Sequence, residues 1–273
     1  MNTQPSFDVM MVNPEEKRPF VQHLFTSIAP RYDWFNRLAS CGLDQRWRHR
    51  VMVRGAIEAT HRVLDVCAGT GDLALLCARR QRGPRPAADE RRGGQGTVIG
   101  IDMNREMLGR AQRKSRDASL AVQWVQGDAE ALPFPTETFD RVTIGFSTRN
   151  LSDLDQGLAE MVRVLRPGGR LVILETGYPS NRVVRFGYRL FLSTVARLIG
   201  FLLTGRVWPF TYLAQSVRQF LTPPQVVERL QRANTRVEYV PLSWGLASLY
   251  VATKSDARDR PCATDVMELT CHP

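Results

Sequence analysis

The stretch VLDVCAGTGDLAL, residues 63–75, decides the fold. An apolar run enters a glycine turn, and helix-forming residues leave it. A strand, a glycine turn and a helix in that order hold a ligand against the helix N-terminus in parallel nucleotide-binding sheets. Gly69-Thr70-Gly71-Asp72-Leu73-Ala74 also fits the dinucleotide pattern G-x-G-x-x-G/A. Two acids, Asp65 and Asp72, bracket the turn. Carboxylates set against a pyrophosphate repel it strongly at low dielectric. The turn therefore predicts a ligand with no phosphate and with positive charge.

Outward from the turn a rhythm appears. RVLDVC (62–67) reads as a buried strand and GDLALLCARRQ (71–81) as a helix. TVIGID (97–102) is a strand and MNREMLGRAQRKSRD (103–117) a helix; AVQWVQGDA (121–129) and FDRVTIGF (139–146) are strands. DQGLAEMVRVL (155–165) is a helix, followed by the turn and strand RPGGRLVILE (166–175). Strands alternating with helices predict an α/β, Rossmann-like sheet, mostly parallel, with helices on both faces. One domain is expected over residues 17–254, after a loose leader at 1–16 and before a disordered tail at 255–273. Residues 17–58 read as a helical lid, interrupted at Pro30. Residues 79–96, rich in Gly, Pro and Arg, read as a mobile surface loop. The segment 181–225 reads as amphipathic and helical.

The chain has 273 residues, with 37 Lys+Arg against 27 Asp+Glu, a net charge of +10. An anionic partner fits that balance: nucleic acid, a lipid surface or a phosphorylated ligand. Its 5 cysteines form no C-x-x-C pair, and its 4 histidines are scattered, so neither a disulfide framework nor a metal site is expected. The first twenty residues lack a basic segment followed by an apolar run, which predicts a cytoplasmic protein.

Three acids follow three successive strands. Asp65 lies in the first strand and can order the turn, or water, near a cationic ligand. Thr70 and the loop amides, with Gly69 and Gly71 leaving room, can hold a carboxylate. Asp102 ends the second strand, where an acid accepts both hydroxyls of a ribose. After the third strand, Asp128 can take an adenine amino group while Ala129 leaves space for the ring. A sulfonium, an ammonium and an adenosine belong together in S-adenosyl-L-methionine, the expected co-substrate.

The same segments, with GDAEALPFPTETFDRVTIGF (127–146), RN (149–150) and EMVRVLRPGGRLVILE (160–175), resemble class I methyltransferases. More narrowly the chain resembles the quinone C-methyltransferases of menaquinone and ubiquinone biosynthesis. VQHLFTSIAPRYDWFNRLASCGLDQRWR (21–48) and PSNRVVRFGYRLFL (179–192), with VWPFTYLAQSVRQFLTPPQVVERL (207–230), carry that narrower likeness over roughly residues 17–254. The resemblance implies Thr70, Asp102, Met103, Asp128 and Ala129 as cofactor contacts. Gly145 stands where the family often has Ser, so a contact there is through backbone. The family's F-G-x-R-N turn is here Phe146-Ser147-Thr148-Arg149-Asn150, without its glycine.

The resemblance further implies a prenylated quinol acceptor, methylated on a ring carbon. Its nucleophile is a phenolate, which the enzyme must stabilise. Arg149, beside Asn150, suits that task or the positioning of water; the plainer alternative is a salt bridge holding the loop. Tyr32 and Asp33, on the lid, suit acceptor binding and a base, or merely capping and packing. Arg182, Arg185, Arg189, Ser193 and Arg197 fall on one helical stripe in an apolar setting. That helix suits an anionic membrane surface, or packing on the core with solvated arginines. A homodimer is compatible with the pattern. No nucleic-acid platform of interleaved aromatic and basic residues is present. The competing readings are a class I methyltransferase for another small molecule, a sterol or RNA, and a non-enzymatic membrane-surface protein that keeps the fold.

Overall fold

The structure, a computed structural model, describes residues 14–82, 96–177 and 179–255. Most of the expected leader, loop and tail therefore lies outside the described residues. The strands are β1 (Arg62–Val66), β2 (Thr97–Asp102), β3 (Gln123–Gln126), β4 (Phe139–Gly145), β5 (Leu165–Thr176), β6 (Thr235–Leu242) and β7 (Ala247–Lys254). They form one sheet in the order β3-β2-β1-β4-β5-β7-β6. The ladders from β3 to β5 are parallel. β7 is inserted antiparallel between β5 and β6. Central strands are buried on both faces, which is why β1 reads as a continuous apolar run rather than an alternation.

Chain direction across the sheet reverses between β1 and β4, so the crevice at the carboxyl ends of these strands is the ligand site that topology dictates. The helices α4 (Asp72–Arg82), α5 (Arg105–Asp117), α6 (Leu154–Arg163) and α10 (Pro223–Arg232) follow strands or lead into them. Asn104 caps α5 by accepting the Met107 N–H, and Asp153 caps α6 by accepting the Gln156 N–H. Each side chain meets an amide that the helix itself leaves unpaired.

A second layer of helices roofs the carboxyl end of the sheet. With α3 (Leu43–Arg54) packed on the sheet itself, Val51 sharing a core with Val172, Leu174 and Leu249, the roof comprises α1 (Pro14–Ile28), α2 (Tyr32–Ala39), α7 (Arg182–Ser193), α8 (Val195–Thr204) and α9 (Trp208–Gln219). Leu24, Ile28, Phe35, Leu192, Ala196 and Phe210 form its own apolar core. Phe210 lies so close to α8 that a Cβ at Gly200 would fall 2.2 Å from its ring. Pro30 sits in a 3-10 turn, Ala29–Arg31, that separates α1 from α2.

Two expectations need correction. The first lid helix begins at Pro14, inside the stretch read as leader, because proline suits the first helical position. The Arg182–Arg197 stripe, read as one helix, spans two, α7 and α8, and the helical segment 181–225 continues with α9 and the start of α10. The arginine stripe is interrupted at Thr194, where φ is −122° and ψ −74°. There Ser193 Oγ donates to the Arg189 carbonyl and Thr194 Oγ1 to the Leu190 carbonyl, each at 2.7 Å. Such back-bonding competes with the helical ladder and bends it. Arg182 and Arg189 are exposed, whereas Arg185 and Arg197 are half-buried.

Candidate active site

Two cavities meet under the helical roof. The first lies at the carboxyl ends of β1 to β4. Of the residues expected to bind the cofactor, Asp65, Gly69, Thr70, Asp102, Met103, Asp128, Ala129 and Gly145 all line it. Gly71 does not. Its φ is +86°, and a Cβ there would fall 2.5 Å from the Trp124 ring, so Gly71 shapes the turn instead of facing the ligand. Gly69, at φ +55°, has nothing within 4 Å of where a Cβ would be and leaves the turn open.

Asp65 is wholly engaged with the protein. It accepts the Thr143 hydroxyl at 2.7 Å and the Ala74 N–H at 3.0 Å, fastening β1 to β4 and to the first turn of α4. Burial pushes its carboxyl up to about 7, against those two hydrogen bonds. Asp102 accepts the Gly69 N–H at 2.8 Å and the Asn104 N–H at 2.7 Å, one on each oxygen. Each oxygen keeps a lone pair for a hydroxyl donor. Asp128 accepts the Glu130 N–H at 2.9 Å and faces Arg18 at 3.1 Å.

Asp72 behaves differently from its expected part. Lys114 Nζ lies 2.5 Å from its carboxylate and Arg48 3.5 Å. Burial raises its carboxyl, but Arg48 and Lys114 outweigh that and hold it below the ordinary value. Its charge is thus cancelled by two cations, so the expected repulsion of a pyrophosphate does not rest on Asp72.

The lid meets the glycine turn at Asp33. Thr70 Oγ1 donates to Asp33 at 2.6 Å, and Lys114 donates to the other Asp33 oxygen at 3.0 Å. This places Asp33 on the outer side of the turn, away from both cavities. It ties lid to turn.

The second cavity is apolar. Phe35, Trp47, Phe146, Tyr188, Phe210 and Leu213 are among its walls, with Arg149 at its inner end. Tyr32 and Asn150 line both cavities and mark their junction. Arg149 donates from Nη1 to Glu175 at 2.5 Å and to the Phe146 carbonyl at 2.6 Å. Glu175 is completely buried and also accepts the Thr148 hydroxyl and the Thr176 N–H. The guanidinium is buried, which would lower its pKa, but Glu175 and the surrounding tyrosines raise it further, so it remains a cation. Arg149 thus makes the loop-holding salt bridge and also lines the apolar cavity.

Arg149 Nε and Asn150 Nδ2 are buried without a hydrogen-bond partner. A buried donor left unpaired costs about 1–3 kcal/mol. Asn150 Oδ1 accepts the Tyr212 hydroxyl at 3.3 Å. Burial pushes the Tyr188 and Tyr212 phenols up to about 12 and raises Tyr32 as well, so all three remain hydrogen-bond donors at neutral pH.

Sequence reading missed Arg18, Arg48, Lys114, Glu130, Glu175 and Tyr212. One had a signal. Glu175 ends the apolar strand LVILE, and a carboxylate there needs a buried cation. The others are recognisable only as partners across the fold.

Comparison with known proteins identifies the family and the fold. Residues 10–254 match the model of the ubiE/COQ5 methyltransferase family. A demethylmenaquinone methyltransferase of Deinococcus radiodurans is 38% identical over 240 residues, covering 88% of this chain and 95% of the relative. That of Thermus thermophilus is 39% identical over 231 residues, covering 85% and 100%. The ubiquinone/menaquinone biosynthesis C-methyltransferase UbiE of Hahella chejuensis is 34% identical over 252 residues, covering 91% and 97%. Among solved structures, an Aquifex aeolicus SAM-dependent methyltransferase shares the fold at TM-score 0.53 and 20% identity, covering 76% of this chain and 88% of that one. YcgJ of Bacillus subtilis shares it at TM-score 0.54 and 18% identity, covering 77% and 99%.

Proposed function

Because the chain belongs to the ubiE/COQ5 methyltransferase family, and so is an S-adenosyl-L-methionine-dependent C-methyltransferase of quinone biosynthesis, we propose that its acceptor is demethylmenaquinol. The residues present fit the methyl donor. Gly69 leaves the turn open, Asp102 keeps free lone pairs, and Asp128 and Ala129 stand side by side in the cavity wall. The co-substrate supplies a methyl group on a sulfonium, which departs as a neutral thioether.

The single observation that supports the acceptor assignment is the buried Arg149 cation in the wall of the apolar cavity, next in the chain to Asn150, which lines both cavities. A quinol hydroxyl beside the buried Arg149 cation loses its proton more readily, since the phenolate is formed against a positive charge. Charge then moves onto the ring carbon, a carbon–methyl bond would form as the sulfonium–methyl bond breaks, and the carbon's proton would pass to solvent water to restore the aromatic ring. Asp44 is the one carboxylate among the described residues lining the apolar cavity, and Arg48 holds it at 2.6 Å. The chain thus contributes a fixed cation and neutral donors at this point, while the aromatic walls exclude water and orient the ring.

We place the reaction at the cytoplasmic face of the membrane, where a prenylated acceptor resides. The run Arg182–Thr204 is long and apolar enough to cross a bilayer by length and composition. Its break at Thr194, its arginines and its inner side, packed through Leu192, Ala196 and Gly200, suit lying on the surface instead. A benzoquinol acceptor is the second reading, favoured by the likeness to the Hahella chejuensis protein. Methyl transfer from labelled S-adenosyl-L-methionine to demethylmenaquinol and to the corresponding benzoquinol tests the assignment. Faster transfer to the naphthoquinol is expected; transfer to the benzoquinol alone overturns it.

A further inference from the structure

Helix α2 has three differently occupied sides. Tyr32 and Phe35 face inward, with the Phe35 ring 4.4 Å from that of Phe210. Asp33 holds Thr70 of the cofactor turn. The remaining side carries Trp34 and Leu38, four residues apart and 63% and 48% exposed, flanked by the exposed Arg31 and Arg37. Large apolar side chains in that state on adjacent helical turns mark an interaction surface.

The surface does not end with α2. Helix α8 packs on α2 and exposes Val195, Leu198, Phe201 and Leu202, and α7 exposes Val183, Phe186 and Leu190. Residues 176–227 include six arginines and no acid. Such a surface suits an anionic lipid layer, into which apolar side chains insert while guanidinium groups meet headgroup phosphates. A second copy of the chain fits it poorly, because two-fold docking would bring one arginine-bearing face against another.

We propose that α2 forms part of the lipid-docking surface and that docking tightens the cofactor site through the Asp33–Thr70 contact. This rests on the membrane placement given above and goes beyond it. The lid helix that touches lipid through Trp34 and Leu38 is the same eight-residue helix that holds the cofactor turn through Asp33. Lipid that orders α2 leaves less ordering for the cofactor to impose, and linkage makes the effect reciprocal.

The test uses the full chain with phosphatidylcholine vesicles, alone or containing phosphatidylglycerol. Flotation reads docking, and calorimetry reads S-adenosyl-L-methionine affinity. The chain should float with the phosphatidylglycerol vesicles only, and these should tighten cofactor binding roughly fivefold or more. A Trp34→Gln/Leu38→Gln double variant should lose most flotation and the tightening, yet bind cofactor as the parent does without lipid. Asp33→Asn should float normally and show a smaller tightening.

Parent-like flotation of the double variant overturns the role of α2. Flotation of the parent without a change in affinity overturns the coupling. A parent that ignores both vesicles, or a double variant that loses only self-association, overturns the lipid assignment. Methyl transfer to a short-chain naphthoquinol in lipid-free buffer reads the acceptor proposal independently of all four outcomes.

Discussion

The two cavities that meet at Tyr32 and Asn150 are made of opposite materials. The cofactor cavity is built from backbone turns and carboxylates at the ends of adjacent parallel strands. The acceptor cavity is built from aromatic and aliphatic side chains on helices drawn from both ends of the chain. In the first, on the reading proposed above, acids and turn amides receive the cationic donor. In the second, one buried cation is presented within an apolar wall. The contrast separates the two demands of the reaction, since the donor is a soluble cation and the acceptor an apolar ring that must become an anion.

The buried cation is the sharpest place to break this contrast. Arg149→Ala leaves Glu175 buried without its partner, and loss of one member of such a pair costs roughly 3–5 kcal/mol. Denaturant unfolding should show that loss, and turnover should fall far more than cofactor affinity. An Arg149→Met/Glu175→Met double variant should recover much of the stability and none of the turnover. Recovery of both would reduce Arg149 to a structural role.

On the cofactor side the counterpart is Asp65, a buried acid with no ion-pair partner among the described residues. Its carboxyl is raised from 3.8 to about 7, so the unfolded chain ionises it first. Its contribution to stability is therefore present below pH 4 and is lost as pH rises to about 7. Asp65→Asn should be roughly 2–4 kcal/mol more stable than the parent at pH 8 and little different at pH 4, measured by urea unfolding without cofactor. Parallel pH curves for the two proteins would contradict this.

Smaller effects sharpen the boundary. Asp102→Ala should weaken S-adenosyl-L-methionine binding by roughly 1.5–3 kcal/mol, about tenfold to a hundredfold, with little change in acceptor KM. Calorimetry checks the first part and steady-state kinetics the second. Tyr212→Phe removes the hydroxyl that Asn150 accepts and should cost about 1 kcal/mol, a few-fold in kcat, leaving cofactor affinity alone. A larger loss in cofactor affinity than in kcat would move Tyr212 to the other cavity's function.

These cases show why legibility differed between the halves. Asp65, Gly69, Asp102 and Asp128 were readable because strand ends and their turns are local features, and the parallel order brings successive ends to one edge. Gly71 was misplaced because its neighbour Trp124 lies more than fifty residues on and is close only in the fold. Asp72 was read as an open charge because nothing near it in the chain announces Lys114. The arginine stripe assumed an unbroken helix, whereas hydroxyls at Ser193 and Thr194 divert backbone acceptors and split it.

Periodicity was enough, from sequence alone, to set the α/β sheet, and strand-end chemistry to bring Asp65, Asp102 and Asp128 to one edge, while the family likeness came from whole motifs. Those features depend on interactions within a few residues or between consecutive βα units. Which charges are free and which are cancelled, where Asp33 points, and how distant helices close an apolar chamber around Arg149 were decided by tertiary structure. Burial and partner identity set those properties, and both depend on residues that only folding brings together.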